Sequence, residues 1–172
     1  MSNIKENDSN NITISKDIEH LVLESQKILL KFFTINSQNF DSNKLNRMKE
    51  IFSTFSVVYI SPDEAQRPRL KAARCNHDTK TIEINKENRL YCGSRGMTKE
   101  FQIMAQIIHE YGHAFTGITD QYSGVTEEGM VICLEEKVMD YYFKTRGIFA
   151  EHENVGYTCS MKSFLKHWKL VS

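Results

Sequence analysis

Residues 98–117 read TKEFQIMAQIIHEYGHAFTG, and this stretch decides the fold. Thr98 carries the side chain of a helix N-cap, and Gly117 has the conformational freedom of a helix stop. Between them Phe101, Met104, Ile108 and Phe115 recur at helical spacing, which predicts one long helix with a core-facing stripe. His109 and His113 stand at i and i+4, a turn apart on one face, with Glu110 about 100° round the helix. Two imidazoles so placed can share one tetrahedral ion. The adjacent carboxylate can then reach a water on that ion, take its proton and hand it to a leaving amine.

A zinc site of this kind needs one more protein donor. Downstream, Thr126 is expected to cap a helix to about Lys144, stopped at Gly147, with Met130, Leu134, Val138 and Tyr141 along it. Its carboxylates are Glu127, Glu128, Glu135, Glu136 and Asp140. Glu128 is favoured, because Gly129 beside it lets two helices approach and the first helical turn favours an ionised carboxylate. Glu136 is the alternative, paired with Asp140 as an orienting residue, and Glu127 and Glu135 stay open. Glu128 and Glu135 share a helix face, while Glu136 is turned about 100° away. Tyr141, Tyr142, Tyr157 and His152 are candidate donors to a developing oxyanion.

Upstream, Val57–Ile60 reads as a strand, residues 62–70 as a loop, and 71–75 with 81–85 as a hairpin with one solvated face. Two helices precede these: about 16–34, capped by Ser15, and Ser42–Phe55 with the stripe Leu45, Met48, Phe52 and Phe55. Residues 1–14 are polar and expected to be a disordered lead-in. A last helix at roughly 160–170 would pack Met161, Phe164, Leu165 and Trp168 with lysines outward.

The run His109-Glu110-x-x-His113 followed by Glu127-Glu128-Gly129-Met130 resembles the gluzincin clan of zinc metallopeptidases. That resemblance implies His109, His113 and Glu128 as ligands of one zinc ion and Glu110 as general base. It also implies substrate binding as an added strand along the hairpin edge. It covers about 71–144. Fourteen residues separate His113 from Glu128, fewer than aminopeptidase-type members use. Residues 81–85 (TIEIN) also resemble small intracellular metalloproteases that cut phage or stress repressors.

Composition bounds these readings. The 172 residues carry 22 basic and 22 acidic side chains, which argues against nucleic acid or an anionic membrane as the main partner. Yet residues 98–142 alone hold 2 basic and 8 acidic groups, so the candidate site lies in the acidic part of the sequence. No apolar run is long enough to span a bilayer, and residues 1–11 lack the apolar core of a secretory signal, so a cytoplasmic protein is expected. Cys75, Cys92, Cys133 and Cys159 form no CxxC pair and are expected as reduced thiols.

The expectation is an α+β domain over 15–172, zincin-like, a helical bundle with a small antiparallel edge sheet. Its HExxH helix would pack against a Glu-bearing helix. The expected function is zinc-dependent hydrolysis of peptide bonds in a peptide or protein substrate. The alternative is a catalytically degenerate zinc-binding interaction or regulatory module.

Overall fold

A computed structural model describes residues 12–60, 73–87, 95–117, 124–150 and 160–169. The expected helix forms as α3, Lys99–Thr116. Thr98 Oγ1 accepts from Phe101 N at 3.2 Å, capping the start. Gly117 adopts a left-handed φ of +60°, and its N–H donates to His113 O at 3.1 Å, closing the end. α3 is buried on more than its stripe: residues 103–108 are all buried, as are Tyr111, Gly112 and Ala114–Thr116. A helix enclosed this fully sits at the centre of a domain.

Its neighbours explain the enclosure. α1 (Glu19–Ile35) and α2 (Ser42–Thr54) both pack against it, and α4 (Gly124–Arg146) makes its most extensive helix contact. α5 (Met161–Lys169) packs on α4, with Trp168 Nε1 donating to Met130 O at 3.2 Å. Phe32, Phe33, Phe40, Phe115, Phe164 and Trp168 form an aromatic core between these helices, as in the 5.6 Å edge contact of Phe33 with Phe115. Buried aromatic pairs contribute about 0.5–1.5 kcal/mol each beyond area burial.

Helix boundaries follow local chemistry. Asp41 Oδ1 accepts from Lys44 N at 3.0 Å and caps α2. α4 ends where Gly147 (φ +63°) donates to Lys144 O and Ile148 N donates to Phe143 O, a Schellman closure. Two expected caps are corrected. α4 begins at Gly124, so Thr126 lies inside it. Ser15 does not cap α1, whose N-cap residue is Ile18; its hydroxyl accepts from Tyr59 N at 3.2 Å instead.

The sheet has three strands, β1 (Ser56–Tyr59), β2 (Ala73–Asn76) and β3 (Thr81–Ile84), in the order β1-β3-β2. β2 and β3 form the expected antiparallel hairpin, with Ile82 and Ile84 buried and Thr81 and Glu83 on the wetter face. β1, however, pairs parallel with β3, so the sheet is mixed rather than antiparallel. Thr13–Ser15 run along β1, through Ser15 N to Val57 O at 3.0 Å and Val57 N to Thr13 O at 2.9 Å. The end of the expected disordered lead-in is therefore ordered; residues 1–11 lie outside the described part. Among the described residues nothing pairs with the outer edge of β2. The proline loop at 62–70 also lies outside the described residues.

The result is an α+β fold, mostly helical, with a small sheet. Among the described residues no helix is long and apolar enough to cross a membrane.

Candidate metal centre

The site lies where α3 meets α4. Gly112 makes the approach possible: a Cβ there would meet Val131 Cγ1 at 2.9 Å and Leu134 Cδ2 at 3.3 Å. Gly112, on the helix facing Gly129, provides a close approach of the kind expected at Gly129. It brings the first turns of α4 over His109 and His113.

Three side chains converge there. His109 Nε2 is 3.3 Å from Glu128 Oε1, His113 Nε2 is 3.1 Å from Glu128 Oε2, and the two Nε2 atoms are 3.1 Å apart. Among the described residues these three form a group able to hold a metal ion. Metal–ligand distances of about 2.0–2.1 Å in a tetrahedral site put neighbouring ligand atoms roughly 3.3 Å apart. The observed separations match that spacing.

The far side of each ring is fixed by another carboxylate of α4. His109 Nδ1 donates to Glu135 Oε2 at 2.9 Å, and His113 Nδ1 donates to Glu127 Oε1 at 3.0 Å. A carboxylate can only accept, so Nδ1 carries the proton on both rings and Nε2 is directed inward. Thr116 Oγ1 donates to the same Glu127 oxygen at 2.9 Å, and Glu135 is only 2% exposed. The Glu128 side chain is 47% exposed, against 16% and 19% for the two histidines, so the site opens to solvent on the Glu128 side.

Electrostatics agree with the geometry. Burial disfavours the His109 imidazolium, yet hydrogen bonds to Glu128 and Glu135 outweigh it and raise its pKa to about 10. His113 is raised in the same way by Glu128 and Glu127, against burial and the charge of His109. Hydrogen bonds from both histidines hold the Glu128 carboxyl well below the usual range. Glu110 is 5% exposed, and burial pushes its carboxyl upward while the histidines pull it down. This is a centre of concentrated negative charge around two imidazoles, the chemistry of a cation site.

The residues that the sequence points to divide clearly. His109, His113 and Glu128 come together, and Glu110 lies within their field. Glu136 is 3.0 Å from Lys137 Nζ and is not in the cluster. Glu127 and Glu135 stand behind the histidines. Tyr141 packs edge-on against Phe32, and Tyr142 against Phe101 and Phe143. His152 and Tyr157 lie outside the described residues.

Cys75 and His77, at the end of β2, carry no motif that marks them as site neighbours. Cys75 Sγ lies 3.9 Å from His77 Nε2, and burial, then the charge of Glu110, pushes its thiol up to about 12. It is therefore a neutral thiol beside the site. Cys75 and Cys133 are thiols and not part of a disulfide among the described residues, while Cys92 and Cys159 lie outside the described residues.

No family model matches this sequence, no curated protein matches it, and no solved structure matches its fold. The site must therefore be judged by its own geometry.

Proposed function

We propose that this protein is a zinc metallopeptidase of gluzincin type, with His109, His113 and Glu128 as the metal ligands. One observation carries the reading. Three donors converge at tetrahedral spacing, each histidine backed by its own carboxylate, with a buried glutamate alongside. Two nitrogens and one carboxylate oxygen suit zinc, and three protein ligands leave a position for water. A zinc ion held there lowers the pKa of water toward neutrality and polarises a carbonyl.

The protein's own residues do the rest. Glu127 and Glu135 hold the imidazoles in the tautomer that offers Nε2. Glu110 accepts the proton of the attacking water and delivers it to the leaving amine, and burial raises its basicity toward what that task requires. A peptide laid along the outer edge of β2 would extend the sheet beside α3.

A second reading is a metal-stabilised interaction module. It draws on the short connection of 14 residues between His113 and Glu128, and on the packing of Tyr141 and Tyr142 against aromatic rings. The Glu110→Gln variant separates the two. A peptidase loses cleavage and keeps its metal; a module shows no metal-dependent cleavage in either form.

A further inference from the structure

The carboxylate behind His113 is itself held from a second direction. His113 Nδ1 donates to Glu127 Oε1 at 3.0 Å, and Thr116 Oγ1 donates to that same oxygen at 2.9 Å. Thr116 is the last residue of α3, one turn beyond His113, and Glu127 stands in the first turn of α4. The hydroxyl therefore ties the end of one helix to the start of the next, on the side of the ring away from the ligand nitrogen.

Thr116 is buried, so its hydroxyl needs an acceptor. Two lie within reach, Glu127 Oε1 and, at 3.0 Å, His113 O of its own helix. His113 O already accepts from Gly117 N at 3.1 Å, and a carboxylate is the stronger acceptor. The single hydroxyl proton is thus directed to Glu127. β-Branching leaves threonine few χ1 positions in a helix, which keeps the hydroxyl where Glu127 reaches it.

The two histidines are supported differently. Behind His109, the Glu135 side chain is 2% exposed and enclosed by its surroundings, whereas the Glu127 side chain is 14% exposed. A less enclosed glutamate keeps more rotamer freedom unless hydrogen bonds from two directions remove it.

We propose that Thr116 is a positioning residue of the metal centre, whose hydroxyl fixes Glu127 and, through Glu127, the His113 imidazole in the orientation that binds metal. The assignment rests on the metal-ligand part of the peptidase reading and is tested by binding, not by cleavage.

Zinc affinity, measured by competition with a chromophoric chelator, tests it in a double-mutant cycle. Thr116→Val keeps the branched shape and removes the hydroxyl, while Thr116→Ser keeps the hydroxyl without the methyl group. Thr116→Val is expected to weaken zinc binding roughly three- to tenfold, less than a direct partner of the ring, because it acts through one intermediary. Thr116→Ser should stay within about twofold of wild type. In a Glu127→Ala background, Thr116→Val should change affinity by less than about twofold, since the group it acts on is gone. If Thr116→Val does not fold, Thr116→Ala takes its place in the same cycle. Wild-type affinity in Thr116→Val overturns the proposal. So does a Thr116→Ser protein as weak as Thr116→Val, or an equal loss with and without Glu127. Absence of zinc binding by the wild type overturns the metal-ligand reading and this proposal together. Failure of the peptidase reading alone looks different: zinc affinity follows the expected cycle, yet the wild-type protein cleaves no peptide.

Discussion

At the residue scale, the informative atoms are the two Nδ1 nitrogens. Each is bonded to a carboxylate from α4, at 2.9 Å for His109 with Glu135 and 3.0 Å for His113 with Glu127. Glu135→Gln and Glu127→Gln keep the side-chain shape and remove the charge. Each is expected to weaken metal affinity by roughly 10–100-fold without abolishing it. Competition against a chromophoric chelator measures this, and unchanged affinity in both variants would mean the couples have no positioning role. His109, His113 and Glu110 were legible from sequence because their relation is local, set by 3.6 residues per turn. Glu128 was favoured from its place in the first helical turn, but the positions of Glu127 and Glu135 behind the histidines were not legible. Those positions depend on the rotation of α4 about its own axis against α3, and packing at Gly112, Val131 and Leu134 sets that.

At the scale of elements, the α3–α4 contact is what assembles the site. Gly112→Ala would gain about 1 kcal/mol of helix propensity. Against that, a Cβ at 2.9 Å from the stiff Val131 side chain overpacks the contact, at about 1–3 kcal/mol. The expected net effect is a loss of up to about 2 kcal/mol in denaturant unfolding, together with weaker metal binding as the helices separate. Unchanged stability with undiminished metal affinity would show that the close approach is not required. Thr98→Ala, by contrast, should cost about 1 kcal/mol through the lost cap and leave metal affinity intact. Thr98, Gly117 and Gly147 were readable as boundaries because capping is local chemistry. Ser15 misled because its hydroxyl is used 44 residues away, by Tyr59. The parallel pairing of β1 with β3 was invisible for the same reason: alternation marks a strand but not its partner.

At the scale of the molecule, the equal count of acidic and basic groups conceals a centre crowded with carboxylates. Without metal, that crowding should appear in the pH dependence of stability. His109, raised to about 10, stabilises the fold fully below its ordinary 6.5 and ceases to do so as pH passes 10. Glu110, raised by burial, adds to the same loss as pH climbs. Glu128, depressed by the histidines, stabilises above its ordinary 4.5 and loses that contribution as pH falls. Chelator-treated protein is therefore expected to melt highest between about pH 4.5 and 6.5 and progressively lower toward pH 10. Differential scanning calorimetry across that range checks the sign, and a melting temperature that rises above pH 6.5 would contradict it.

The claim on which the functional account depends is that one metal ion, held at His109, His113 and Glu128, serves hydrolysis assisted by Glu110. Metal content and peptide cleavage, measured together on wild-type and Glu110→Gln protein, test it most directly. About one zinc ion per protein molecule is expected in both forms, with cleavage in the wild type and none in the variant. Absence of a tightly held ion, or full cleavage by Glu110→Gln, would contradict it.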